Sequence, residues 1–296
     1  MRRYDFVAVD VFTETPFGGN PLAVFQDAQG ISDGEMQQLA IEFGWSEIAF
    51  VLPATDPANT ARVRIFTPSH EMPFAGHPNV GTGWVLASLG RIPGDRAVFE
   101  EIAGLVEVRI VRTPSGEIAG ARVEAPEPLS VGFELPPAAV AACAGLEPGD
   151  ILLGRHAPLV ASVGHPFVFA EVGHQALRRA APDPVAFRSL LAATPRLEGR
   201  LSVHLYAKAD DALATRMFAP LTDIPEDPAT GAANAALAAL LLSFGDEPEL
   251  ALDVAQGVEM GRPSRLAVTA RRTADGIRAS VAGSCVAMME GAAILP

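Results

Sequence analysis

The sequence predicts an α+β protein of two similar halves, each a sheet carrying few helices, and three observations carry that prediction. The first is an internal repeat. Arg64-Ile65-Phe66-Thr67-Pro68 precedes Gly76-His77-Pro78-Asn79, which opens an apolar, small-residue helix running towards Leu89. The pattern returns as Arg216-Met217-Phe218-Ala219-Pro220, then Gly231-Ala232-Ala233-Asn234 and a helix running towards Phe244. The two Arg-x-Phe-x-Pro elements stand 152 residues apart and the two Gly-x-x-Asn elements 155 apart, so both match in register. The second observation is strand-like alternation of polar and apolar side chains in short runs such as 62–66 and 201–206. The third is Glu124-Ala125-Pro126-Glu127-Pro128, where proline stops both helix and ladder between the copies.

In chain order, Met1 to Asp10 reads as a first strand, because an acid interrupts the run before it reaches the length of a signal peptide's core. Ser32 with Glu35 three residues on makes a capping box. It opens a helix whose Met36, Leu39, Ala40 and Phe43 share one face, and Gly44 ends it. Gly164-His165-Pro166-Phe167 weakly echoes Gly19-Asn20-Pro21-Leu22. The boundary at the Pro-rich stretch gives domains 1–125 and 126–296, with the last strand free to return to the first. Clefts between such domains are preferred places for small-molecule sites, which puts the expected chemistry there.

The chain has 296 residues, 49% hydrophobic and 19% charged, which predicts a globular protein with real cores. A net charge of -13 repels phosphate backbones and argues against nucleic acid as a partner. The most apolar helical stretch, 235–242, is far shorter than the roughly 20 residues needed to cross a bilayer, so no membrane partner is expected and the cytoplasm is the default location. Cys143 and Cys285 read as buried small hydrophobes rather than a disulfide or a metal set. No nucleotide-binding glycine motif, nucleophile elbow or zinc-protease motif occurs, and the histidines have no ligand spacing, so no metal or nucleotide cofactor is expected.

Three residues remain as candidates for chemistry. Glu47 lies in the strand-like run 45–51 on the same face as Ala49 and Val51. A carboxylate on an apolar face loses hydration, which raises its pKa into the range of a useful acid or base. The same pattern fits an edge-strand glutamate facing solvent, and the run itself leaves both roles open. His77 stands where the loop 72–76 meets a helix beginning at Pro78, with its side chain and neighbouring N–H groups expected to point outward. A lone histidine there is more often structural. The repeat shifts that balance, because the second copy puts Asp227-Pro228-Ala229-Thr230-Gly231-Ala232 at the matching turn. Two such helix N-termini, at Gly76 to Asn79 and Gly231 to Asn234, offer free amides to a carboxylate even on an acidic protein.

At these residues the chain resembles the phenazine-biosynthesis PhzF-like isomerase family, which shares the diaminopimelate epimerase-like fold. The resemblance rests on Asp10-Val11-Phe12-Thr13 with Phe17-Gly18-Gly19-Asn20-Pro21, Ser46-Glu47, Phe66-Thr67-Pro68, and Ala75-Gly76-His77-Pro78. It continues through Glu226-Asp227-Pro228-Ala229-Thr230-Gly231 and Gln256-Gly257 with Gly261-Arg262-Pro263-Ser264. It implies two domains, each a barrel-like, mostly antiparallel sheet around a central helix, and a homodimer. It implies a general acid/base at Glu47, with His77 and Asp227 beside it. Asn20, Gly76, Pro78, Asn79, Thr230, Gly231 and Ala232 are the implied substrate contacts. Related epimerases transfer protons with two cysteines, and neither turn here has one.

The family commonly has a serine after the Thr-Gly of the second turn, whereas this chain has Ala232. The expectation is a cofactor-independent isomerase that moves a proton between carbons of a small, cyclic, unsaturated carboxylic acid, similar to trans-2,3-dihydro-3-hydroxyanthranilate isomerase. The alternative is a ligand-binding or protein-interaction member of the fold without turnover.

Overall fold

A computed structural model describes residues 1–209, 212–222 and 224–296. They form two compact units, Met1–Pro126 with Val281–Pro296, and Glu127–Ser280. The first unit contains β1 (Arg2–Val11), β2 (Asn20–Phe25), α1 (Asp33–Phe43), β3 (Ile48–Leu52), β4 (Ala61–Phe66), β5 (Glu71–Met72) and α2 (Gly76–Ser88). It continues with β6 (Arg96–Glu101), β7 (Gly104–Arg112) and β8 (Ile118–Glu124). The chain's last strand, β17 (Gly276–Leu295), crosses into this unit from Val281 onward and pairs with both β1 and β8. The order β17, β1, β2, β3, β4, β6, β7, β8 therefore closes into an eight-stranded barrel. Closure removes the open edges that a sheet of this size would present.

Strand alternation sorts each side chain to one face of the sheet. Ala23, Phe25, Ile48 and Phe50 pack with Met36, Leu39 and Ala40 of α1. Leu22, one residue out of phase, faces α2. A Cβ on Gly81 would stand 2.5 Å from Leu22 and 2.8 Å from Val11, and one on Gly83 would stand 2.6 Å from Val108. The absence of side chains at these two positions is what lets α2 run so close to the strands. α1 is set as its sequence predicts. The Ser32 hydroxyl and the Glu35 carboxylate cap each other's backbone, and Gly44 closes the helix at φ 63° with its amide on the Ala40 carbonyl.

The second unit contains β9 (Ser130–Glu134), α3 (Pro137–Cys143), β10 (Leu159–Ser162), β11 (Pro166–Glu171), α4 (His174–Arg179) and α5 (Pro184–Ala193). There follow β12 (Val203–Ala209), β13 (Ala212–Phe218), β14 (Glu226–Asp227), α6 (Gly231–Ser243), β15 (Glu249–Gln256) and β16 (Ser264–Thr273). Its pairings copy those of the first. β13 lies antiparallel to β12 and to the two-residue β14 and parallel to β15, as β4 does with β3, β5 and β6. The central α6 packs on β10, β11, β15 and β16. The outer layer is thicker here, with α3, α4 and α5 covering Val168, Ala170, Val203 and Leu205. The fold is thus α+β, two similar units that each wrap a mostly antiparallel sheet around a buried helix. Cys143 and Cys285 are free and buried, and burial pushes the Cys143 thiol up to about 12.

Candidate active site

The first unit's candidate residues gather at the start of α2. The turn joining β1 to β2 is held in a conformation that side chains seldom adopt, with Phe12 at φ 67° and Phe17 at φ 69°. The Ser284 carbonyl accepts from the amides of Phe12 and Thr13, and the Asp10 carboxylate accepts from that of Phe17 at 2.8 Å. Gly19, at φ +61°, has no alternative, because a Cβ there would stand 2.2 Å from the Val11 carbonyl oxygen. Backbone strain of this kind costs on the order of 1–3 kcal/mol per residue and persists where the surroundings over-determine it. Its result is to deliver Asn20, the first residue of β2, into a sealed position.

Asn20 Oδ1 accepts from the Ser46 hydroxyl at 3.1 Å, which turns its Nδ2 towards His77 Nδ1 at 3.4 Å. Glu47 Oε2 lies 3.5 Å from the same nitrogen. Nδ1 thus faces both the Asn20 amide and the Glu47 carboxyl, while Nε2 is sealed from solvent without a hydrogen-bond partner. Burial drives the His77 pKa down to about 3, opposed by the Pro21 carbonyl, so the ring is neutral at ordinary pH. The contact with Glu47 is accordingly that of a neutral ring and not an ion pair.

Two sequence expectations are corrected by these placements. Glu47 precedes β3 instead of lying within it, since the strand begins at Ile48; its side chain keeps 18% exposure. His77 is the second residue of α2, which starts at Gly76, and its ring points into the unit, not outward. The run of free amides is also shorter than expected. Asn79 N donates to the Ala75 carbonyl at 3.4 Å and Pro78 has no N–H, which leaves Gly76 and His77 as first-turn donors. At the second helix the Asn234 amide is likewise used, by the Thr230 carbonyl at 3.1 Å. Gly76, Pro78 and Asn79 are all buried.

The second unit holds Asp227, Thr230, Gly231 and Ala232 together. Asp227 is buried in β14, and its Oδ2 accepts from the Thr230 hydroxyl at 2.6 Å. Gln256 braces this turn from below. Its Nε2 donates to the Asp227 carbonyl at 2.8 Å and to the Thr230 hydroxyl at 3.0 Å, and its Oε1 accepts from Thr230 N at 3.1 Å and Asn234 Nδ2 at 2.7 Å. Ser264 adds a hydroxyl bond to the Pro228 carbonyl at 2.8 Å. Gly257 must be glycine, because a Cβ would stand 2.4 Å from the Arg262 carbonyl oxygen and 2.6 Å from that of Pro228. The motif Gln256-Gly257 with Ser264 is therefore the support of the Asp227 turn. Sequence reasoning had those residues in hand without a role for them; the signal was a long amide beside an obligatory glycine. Ala232, half-buried, holds the place in α6 that His77 holds in α2.

Among the described residues no group of three or more His, Cys, Asp or Glu is placed to hold a metal ion, and no helix is long and apolar enough to cross a membrane.

Residues 9–291 match the protein family described as phenazine biosynthesis-like protein, PhzC-PhzF. The chain is 38% identical to an uncharacterized isomerase of Mesorhizobium japonicum, over 90% of each chain. It is 36% identical to the trans-2,3-dihydro-3-hydroxyanthranilate isomerase of Pseudomonas aeruginosa, over the whole of both chains. A Bacillus anthracis phenazine biosynthesis protein of the PhzF family superposes with a TM-score of 0.88 at 25% identity, each chain covered completely. With a matching family over nearly its full length, a closed barrel around a buried helix, and relatives that are isomerases, this chain belongs to the PhzF-like family of isomerases.

Proposed function

We propose that the protein is a cofactor-independent isomerase that moves a proton between two carbons of a small, cyclic, unsaturated carboxylic acid. The observation that carries the reading is the pairing of the Glu47 carboxyl with the buried, neutral His77 ring, 3.5 Å apart at the start of α2. Glu47 as a carboxylate takes a proton from a C–H bond of the substrate, and the electron pair left behind shifts through the adjacent double bonds. The resulting carboxylic acid returns the proton to a different carbon, so the formula of the substrate is unchanged and no oxidant or metal is consumed. Such positioned proton transfer contributes typically 10²- to 10⁴-fold to rate.

A neutral ring suits this role. An imidazolium at the same place would hold Glu47 as a stabilised carboxylate and weaken it as a base. His77 is a preorganised polar group that stabilises the charge developing on the substrate, and Asp227 is the polar group that the matching turn of the second unit offers. The amides of Gly76 and His77 are the donors for the substrate carboxylate. The relative from P. aeruginosa supports an acid of the dihydro-hydroxyanthranilate type as the class of substrate.

The test is Glu47→Gln, assayed by deuterium wash-in from solvent against a panel of cyclic unsaturated acids. The amide keeps the shape and loses the proton transfer, so exchange and turnover fall at least about 100-fold while ligand binding stays within about tenfold. Turnover above a tenth of wild type would take the acid/base role away from Glu47. A second reading, ligand binding without turnover, draws on Ala232, which lacks the hydroxyl common in the family. It predicts thermal stabilisation by an acid from the panel with no deuterium incorporated by the wild-type protein.

A further inference from the structure

Outside the cluster around His77, the carboxyl of Glu101 is the polar group whose surroundings fit its chemistry least. Glu101 ends β6, and both of its carboxyl oxygens are sealed from solvent with no donor at hydrogen-bond distance. Among the influences on it, the side chain of Asn79 on α2 acts as a donor that favours the charged form, and it is outweighed by burial. A buried acceptor left unsatisfied costs about 1–3 kcal/mol, and a carboxyl with both oxygens in that state calls for an explanation.

The repeat supplies it. Gln256 follows Glu101 by the same 155 residues that separate Asn234 from Asn79 and Thr230 from Ala75. Both asparagines donate through Nδ2 to the carbonyl that caps their own helix, each at 3.0 Å. In the second unit Gln256 then accepts from Asn234 Nδ2 through Oε1 and braces the turn of Asp227 through Nε2. Glu101 thus occupies the position where its counterpart carries a neutral amide. A carboxylic acid that keeps its proton has the outline of that amide and, like it, one donor side and one acceptor side; a carboxylate has no donor at all.

We propose that Glu101 is a positioning residue that works as a protonated carboxylic acid, standing as a neutral group where its counterpart carries an amide and so bracing the first turn of α2, where His77 stands. Burial pushes the Glu101 carboxyl up to about 8, with Asn79 a smaller opposing influence. Charged neighbours do not account for this. Glu100 on β6 is bonded to the Thr55 and Asp56 amides and to Asn59, and Arg62 on β4 lies in register with Glu100. Glu107 on β7 pairs with Arg96 and Arg109, and His77 on α2 is neutral. None of them is among the influences on Glu101.

The sign of the pH effect follows from the raised value. Folded Glu101 keeps its proton between about 4.5 and about 8, where the unfolded chain has lost it. Its contribution to stability is therefore full below about pH 4.5 and is lost as the pH rises through about 8. Above that, a sealed charge stands where the fold holds a neutral group, and the turn loosens.

The experiment compares wild type with Glu101→Gln and Glu101→Leu, by carboxyl titration in glutamate-labelled protein and by amide exchange at Gly76, His77, Asn79 and Val80. Wild type should show one glutamate carboxyl titrating near pH 8 that is missing from Glu101→Gln. Protection of the first turn of α2, corrected for intrinsic exchange, should fall about tenfold between about pH 7 and 9 in wild type and stay level in Glu101→Gln. Glu101→Leu, which fills the space with no donor, should be loose at every pH. A Glu101 carboxyl titrating at an ordinary acidic pH, level protection in wild type, or Glu101→Gln as loose as Glu101→Leu would each overturn the proposal. If Glu101→Leu does not fold, the titration and the Gln variant still decide. The proposal rests on the repeat and not on the reaction assigned to Glu47, so failure of either leaves the other standing.

Discussion

The first turns of α2 and α6 are two versions of one design. Each opens a thirteen-residue helix with a glycine, follows a two-residue strand that begins with glutamate, and ties its fourth residue, an asparagine, back to the capping carbonyl. They differ in what they present. The first carries His77 where the second carries Ala232, and the second carries Asp227 where the first carries Met72. Duplication supplied two rigid cradles, and divergence then gave an imidazole to one and a carboxylate to the other. Rigidity could be kept in both because the groups that tie each turn to its cap, Asn79 in one unit and Asn234 in the other, are separate from the residues that changed.

The comparison can be broken first at the arginine that precedes each turn. Arg64 meets Glu71 through two bonds of 2.7 and 2.6 Å, and Arg216 meets Glu226 at 2.7 and 2.8 Å. Arg216 is the more enclosed, with a side chain 7% exposed and Nη1 donating to the Leu177 and Ala180 carbonyls. Arg64 has a further carboxylate, that of the exposed Asp33. Removing one partner of a buried pair leaves an uncompensated charge and costs about 3–5 kcal/mol, which is the expectation for Glu226→Ala. Glu71→Ala should cost about 1.5–3 kcal/mol, the worth of hydrogen bonds to a charged group that keeps another partner. Urea unfolding of both variants checks the order. Equal losses would mean that the two pairs are interchangeable and that the asymmetry of the units does not reach below the turns.

Much of this was legible in the sequence because it follows from short-range rules. The Arg-x-Phe-x-Pro and Gly-x-x-Asn repeats, the Ser32–Glu35 cap and the Gly44 stop each involve residues a few positions apart, and all appear as read. What was not legible depends on contacts between distant segments. That His77 turns inward is decided by Asn20 and Ser46, 57 and 31 residues away in the chain. That Glu47 falls outside the strand is decided by where the ladder with β4 begins, at Ile48 opposite Phe66. The role of Gln256 needs Asp227 and Thr230 to be folded against it, and no local pattern announces that.

A smaller change sharpens the comparison at the second turn itself. Ala232→Ser restores the hydroxyl common among relatives, at a half-buried position beside the donors of α6. One added hydrogen bond to a charged ligand is worth about 1.5–3 kcal/mol, or roughly ten- to a hundredfold in affinity or rate. The expected outcome is a rise of that size on trans-2,3-dihydro-3-hydroxyanthranilate with no gain on the substrate this protein prefers, measured as kcat/KM for both acids in both proteins. Efficient turnover of the dihydro-hydroxyanthranilate by wild type, unchanged in Ala232→Ser, would show that this position does not set specificity.

The smallest effect is also the one whose sign is most informative, because it asks whether the two central helices have equal room. α2 has Gly81 where α6, 155 residues later, has the buried Ala236. On propensity alone Gly81→Ala should stabilise the first unit by about 0.5–1 kcal/mol, since alanine loses less backbone freedom in a helix. The strands oppose this. A Cβ at Gly81 would stand 2.5 Å from Leu22 Cδ2, 2.8 Å from Val11 Cγ2 and 3.3 Å from Val9 Cγ2, all three residues fully or nearly fully buried. Overpacking a filled interior costs about 1–3 kcal/mol, so the expected net is a loss of up to about 2 kcal/mol. The reverse change in the other unit, Ala236→Gly, meets no such conflict and should lose about 1 kcal/mol from propensity alone. Both variants destabilising by chemical denaturation would mean that each helix has the residue its own barrel requires. Stabilisation by Gly81→Ala would mean that Leu22 and Val11 yield easily, and that the glycine of α2 is left over from the duplication instead of being demanded by the packing around His77.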